Sequence, residues 1–227
     1  MITLRKSEDR GHATLGWLDT RHTFSFSSYQ DPRFMGSSAL RVINQDIVAP
    51  RTGFPAHPHD NMEILTYVLR GAISHRDSMG NEARVPAGDF QLMSAGTGVT
   101  HSEYNREAET LELLQIWLYP KVRNTEPGYQ QKTFAEMNGL QLVASPDGAQ
   151  DSLVIRQDAR IWRGRLAAGA AAHHNVTGST VWLQHIRGEA LINDTLVQAG
   201  DGLEITQEKT LAIRAHTDSG FLLFDLP

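Results

Sequence analysis

The sequence predicts an all-β protein built as two successive β units, and three observations carry that expectation. Apolar and polar residues alternate in short runs, as in Thr23-Phe24-Ser25-Phe26-Ser27, with the two-residue period of a half-buried strand. Turn residues punctuate those runs at Asp31-Pro32, Ser78-Met79-Gly80-Asn81 and Pro86-Ala87-Gly88-Asp89. The chain also repeats itself weakly. Val68-Leu69-Arg70-Gly71 followed by Ala87-Gly88-Asp89 is echoed by His185-Ile186-Arg187-Gly188 followed by Ala199-Gly200-Asp201, and the run Leu113 to Pro120 by Leu222 to Pro227.

Taken in order, Thr23–Ser27 is a first strand and Leu40-Arg41-Val42-Ile43-Asn44 a second, ending before the loop around Pro50 and Gly53. Ile64-Leu65-Thr66-Tyr67-Val68-Leu69 is apolar and rich in β-formers, a central strand closed by Arg70-Gly71. Residues 72–77 are a return strand with the hairpin tip at 78–81, and Gly96-Thr97-Gly98 lets the backbone bend before His101. Leu111 to Leu118 is the last strand of the first unit, ended by Pro120. Lys121 to Leu140 is a polar connector in which Thr133 and Glu136 have the spacing of a capping box, predicting one short helix. The expected division is residues 1–120, a linker at 121–140, and a second unit at 141–227.

Composition narrows the function. Of 227 residues, 40% are hydrophobic and 21% charged, which is ordinary for a globular protein. A formal net charge of -5 argues against a nucleic-acid partner, whose binding surface is normally basic. No apolar run is long enough to cross a bilayer or to serve as a secretory leader, so a cytoplasmic protein without a membrane partner is expected. With no cysteine, disulfides, thiolate metal sites and cysteine nucleophiles are excluded. Any metal must be held by histidine and carboxylate.

Two pairs supply such donors, His57-Pro58-His59 and His101-Ser102-Glu103. Residues two apart on a strand point to one face, so each pair can present both members to one cavity. Three imidazoles and a carboxylate form a nitrogen and oxygen donor set suited to a divalent first-row metal with coordination positions left open. Glu63 shares the parity of His57 and His59 and competes with Glu103 for the carboxylate position. His12 and His22 have no ligand-spaced partner and read as structural or solvent-facing, and His75 as a wall or rim residue. In the second unit His173 and His174 are adjacent, so a strand would point them to opposite faces, and His216 stands alone. That unit is expected to carry no metal.

The spacing of these residues resembles the two motifs of the cupin superfamily of small jelly-roll barrels. Gly53, His57, His59, Glu63 and Gly71 follow the first, and Gly80, Pro86, Gly88, His101 and Asn105 the second. Gly53 stands closer to His57 than is usual there, and the run from Gly88 to His101 is long. A narrower family shares these departures. Gly53-Phe54-Pro55-Ala56-His57-Pro58-His59, Met62-Glu63-Ile64-Leu65-Thr66-Tyr67-Val68-Leu69, Asp77-Ser78-Met79-Gly80 and Ser94-Ala95-Gly96-Thr97-Gly98 resemble pirin and the bacterial pirin-like quercetinases over essentially the whole chain.

The resemblance implies a bicupin, two antiparallel jelly-roll β-barrels packed together, with the metal in the N-terminal barrel. It implies His57, His59, His101 and Glu103 as metal ligands, and leaves Glu63 to orient an imidazole from behind. Iron is the expected metal, with Ni, Mn, Co, Cu and Zn as the other candidates for this donor set. The implied reaction is that of a quercetin 2,3-dioxygenase: a flavonol such as quercetin loses its 3-hydroxyl proton, and dioxygen opens the heterocyclic ring with release of carbon monoxide. Glu103 is the candidate catalytic base. The pocket is expected to be aromatic and apolar, while Phe54 and Met62 read as core. The alternative is a pirin-like regulator that acts through a protein partner, with the metal as redox switch. A monomer is expected, since the edge strands of two barrels can be covered within one chain.

Overall fold

The computed structural model describes all residues from Met1 to Pro227. The chain runs through β1 (Ile2–Arg5), β2 (Gly11–Thr14), β3 (Leu18–His22), β4 (Leu40–Val48), β5 (Gly53–His59), β6 (Glu63–Arg70) and β7 (Ala72–Asp77). It continues through β8 (Glu82–Pro86), β9 (Phe90–Ser94), β10 (Val99–Tyr104), β11 (Leu111–Leu118) and β12 (Gly128–Lys132). Next come β13 (Gly139–Ser145), β14 (Leu153–Val154), β15 (Arg160–Leu166), β16 (Ala171–Asn175) and β17 (Thr180–Arg187). The last are β18 (Glu189–Ile192), β19 (Thr195–Gln198), β20 (Gly202–Thr206), β21 (Thr210–Ala215) and β22 (Ser219–Leu226). No helix is long and apolar enough to cross a membrane.

These strands form two compact units. One comprises Gly11–Phe134 with Ile155–Gln157, the other Met1–Arg10, Ala135–Val154 and Asp158–Pro227. The first unit faces a seven-stranded sheet, in the order β12-β9-β6-β11-β4-β3-β2, with a four-stranded sheet, β5-β10-β7-β8. Alternation along the strands puts one face of each sheet inward. Leu18, Val48, Val68, Ile73, Val85, Leu111 and Leu113 pack as one buried cluster. All of these lie toward one end of their strands, so the core fills that end of the space between the sheets. The other end, lined from Asn44, Ile64 and Trp117, is open.

The second unit repeats the plan with a seven-stranded sheet, β1-β20-β17-β22-β15-β13-β14, and a four-stranded sheet, β16-β21-β18-β19. Its inward residues, among them Val181, Leu183, Leu203, Ile213, Phe221 and Leu223, form a continuous apolar core. Every residue of β22 is buried. Apart from the parallel pair β13–β14, the ladders in both units are antiparallel.

Two expectations are corrected here. Neither unit closes into a barrel, because in each the two sheets remain separate and end in free edges. In the first unit β5 is one such edge and carries Pro55 and Pro58, which have no N–H to donate across the seam. The connector helix is also absent; the only helical turns are single 3-10 turns at Ser7–Asp9 and Ala149–Asp151. Between β12 and β13 only six residues remain (133–138), too few to offset the cost of helix nucleation. Phe134 is buried instead, its ring edge-on to Phe90 at 5.7 Å, and Glu136 pairs with Arg165.

Candidate metal centre

The two donor pairs sit on neighbouring strands of the small sheet. β10 pairs antiparallel with β5, and His101 lies directly opposite His57. The register shifts between His101 and Glu103, so that three residues of β5 pass for two of β10. The extra residue falls at Pro55-Ala56, where proline cannot complete the ladder. This bulge brings Phe54 onto the same face as His57 and His59. At Gly53 the strands touch: a Cβ there would stand within 2.5 Å of the Tyr104 Cα and closer still to the Glu103 carbonyl oxygen.

His57, His59 and His101 converge. Their ring centroids lie 4.5–4.9 Å apart pairwise, and their donor nitrogens form one group within 4.8 Å. The Nδ1–H of His57 donates to the Pro55 carbonyl at 2.8 Å, which leaves its Nε2 with a free lone pair. That Nε2 lies 3.0 Å from the Nε2 of His101. Two imidazole nitrogens bound cis to one ion, each at about 2.1 Å, would be separated by about 3.0 Å.

Glu103 is 3% exposed and sits behind His101, in a second donor group with His101 and His75. Gln115 Nε2 donates to its Oε2 at 2.6 Å, while Oε1 is buried without a partner. Burial pushes Glu103 up to about 7, against the Gln115 hydrogen bond and with some help from Asp46. Burial also pushes His59 down to about 4 and His101 to about 3, assisted by the neighbouring imidazoles. These two are therefore neutral, as ligands must be, far below the pH at which a free histidine takes its proton. An orphaned carboxylate oxygen beside converging nitrogen lone pairs fits a divalent cation. The His and Glu cluster is a metal-binding site.

Opposite it stands the large sheet. The cavity, about 330 Å³, has Phe26, Phe54, Pro55, Ile64 and Trp117 as apolar walls and Asn44, Asp46 and Gln115 as polar ones. Asn44 and Asp46 alternate inward on β4, as Gln115 and Trp117 do on β11. A polar residue at an inward position of an apolar strand is the sequence signal that would have found them. Phe54 both packs against the buried cluster of the first unit and lines the cavity, and Met62 packs in a small core cluster with Ile64, Met93 and Val99.

Glu63 is not placed to orient an imidazole. It accepts hydrogen bonds from the Ser94 hydroxyl at 2.8 Å and the Arg156 backbone N–H at 3.1 Å. The turn between β5 and β6, with Asn61 at φ 48°, resets the parity, so that Ile64 faces the cavity instead. His75 is fully buried, its Nε2 2.9 Å from Asp77 Oδ2 and its ring stacked on Tyr129. His22 lies 2.8 Å from the Asn44 Oδ1, and exposed His12 pairs with Asp19. In the other unit His174 is bound to Asp225, His216 to Glu189, and His173 is exposed.

Comparison with known proteins agrees with this geometry. Residues 3–118 match the family model described as Pirin, and residues 142–226 the one described as quercetinase C-terminal cupin domain. The chain belongs to the pirin family. It is 50% identical to quercetin 2,3-dioxygenase of Escherichia coli K12, over 100% of this chain and 99% of that protein. A pirin-like protein of Caulobacter vibrioides is 41% identical over 99% of both. The crystal structure of the bacterial pirin YhhW from Escherichia coli in complex with nickel(II) superposes with a TM-score of 0.97 at 50% identity, covering 100% of this chain and 99% of that one.

Proposed function

We propose that the protein is a metal-dependent dioxygenase that opens the heterocyclic ring of a flavonol such as quercetin with O2 and releases carbon monoxide. The observation that carries this reading is the convergence of three imidazoles at one end of a cavity whose remaining walls are largely aromatic and apolar. Full-length identity of 50% to a quercetin 2,3-dioxygenase supports it.

His57, His59, His101 and Glu103 are the proposed ligands, the last through its unpartnered Oε1. When bound, the metal supplies a Lewis acid toward the flavonol oxygens and a centre for redox chemistry. Nickel is the ion named in the similar crystal structure, and iron remains the expected native one. Glu103, the buried carboxylate beside the imidazole cluster, takes the proton of the 3-hydroxyl. Gln115 holds the other carboxylate oxygen and so keeps Oε1 turned to the site. The apolar walls hold the flat ring system and exclude water from it.

The test is anaerobic reconstitution with Fe(II), Ni(II), Mn(II), Co(II) and Cu(II) in turn, followed by quercetin and oxygen. Loss of the flavonol absorbance with at least one metal, abolished in His59→Ala, supports the proposal. Stoichiometric metal binding without turnover would favour the alternative, a regulator that carries its metal as a redox switch toward a protein partner.

A further inference from the structure

Asp46 is a carboxylate in the cavity that neither the proposed ligand set nor the proton transfer uses. It projects from β4 on the large sheet, 4% exposed, into the space faced by the imidazoles of the small sheet. Its Oδ1 is enclosed beside the hydroxyl of Thr20, its cross-strand neighbour on β3, which helps hold its charge, while its Oδ2 accepts no hydrogen bond within the protein. A carboxylate in a cavity wall with one oxygen left free calls for a donor from a ligand or a water. Asn44, two residues earlier on the same face, has its Oδ1 engaged by His22. Its amide nitrogen has no hydrogen bond within the protein and is open to the cavity. One wall thus presents an acceptor and a donor side by side in otherwise apolar surroundings.

We propose that Asp46 is a specificity-determining residue: it accepts a hydrogen bond from a substrate hydroxyl other than the one at the metal, with the Asn44 amide donating beside it, so that the site selects polyhydroxylated flavonols. This rests on the flavonol reading and adds the recognition that a metal and apolar walls alone do not supply. A hydrogen bond to a buried carboxylate is among the stronger neutral-to-charged contacts, and a site built around one rejects an analogue that lacks the donor.

The test is anaerobic binding of quercetin and of 3-hydroxyflavone, which keeps only the hydroxyl at the metal, to the full-length Zn(II)-loaded protein. Quenching of the tryptophan fluorescence, with Trp117 in the cavity wall, reports binding without turnover. Asp46→Ala is expected to weaken quercetin about tenfold and 3-hydroxyflavone less than about twofold, with isosteric Asp46→Asn between on quercetin. Equal losses for both flavonols, or no loss for either, would overturn the role of Asp46 while leaving the flavonol reading intact. Failure of the wild-type protein to bind either flavonol would overturn both. Thermal melts of the two variants, expected at or above the wild-type value because a buried charge is removed, separate recognition from folding.

Discussion

The Nε2 atoms of His57 and His101 face each other at 3.0 Å on strands paired in register at those two residues. His101 belongs to both donor groups of the site, the one with His57 and His59 and the one with His75 and Glu103. Its removal takes the shared nitrogen from both. His101→Ala should lower metal affinity by more than about a hundredfold, beyond the range for outer-shell partners, in chelator competition or calorimetry.

Gln115, in the cavity wall, touches the proposed ligand set at Glu103, by a 2.6 Å hydrogen bond to Oε2. Gln115→Ala should therefore leave the fold in place and reduce metal affinity by about tenfold, the lower part of the outer-shell range. Chelator competition measures this, and Gln115→Glu, which puts a second carboxylate against the first, should do worse than alanine.

Gly53 is where β5 lies against β10, and backbone atoms of Glu103 and Tyr104 occupy the place of its absent Cβ. Neither is the end of a flexible side chain. Gly53→Ala should cost about 1–3 kcal/mol of stability, the range for overpacking, and weaken metal binding by displacing His101 and Glu103 together. Denaturant titration of the apo-protein and metal affinity should move in parallel.

Acid sensitivity should come in part from the other unit. Asp225 is buried, which alone would raise its pKa, yet it sits below the ordinary carboxylate value. Donors at His174 Nε2, the Thr177 and Gly178 backbone N–H groups and the Thr177 hydroxyl outweigh the burial. Between the folded and unfolded pKa the unfolded chain binds the extra proton, so stability rises with pH there. The contribution is present above about pH 4 and is lost as pH falls through the folded value. Asp225→Asn should cost about 2–4 kcal/mol at neutral pH. Urea midpoints of the two proteins should draw together as the pH is lowered below about 4.

What could be read from the sequence was local. The period of two in His57-x-His59 and His101-x-Glu103 is enough to put each pair on one face of a strand, and the three histidines do meet. The same period misled at Glu63, because the intervening turn resets the face and sends Glu63 to Ser94 and Arg156. The capping spacing of Thr133 and Glu136 was real, but six residues between two strands leave no room for a helix. Barrel closure failed at an edge marked by Pro55 and Pro58, both visible in the chain but interpretable only once β5 was known to lie at the edge. The far wall was least legible: Asn44, Asp46, Gln115 and Trp117 come from strands some seventy residues apart, and only non-local pairing of β4 with β11 brings them together.

The most direct test of the central claim is the yield of carbon monoxide from the metal-loaded protein turning over quercetin in air. The account predicts one carbon monoxide for each flavonol consumed, with no yield from the His59→Ala protein. Bleaching of quercetin without carbon monoxide, or at a rate the His59→Ala protein matches, would contradict it.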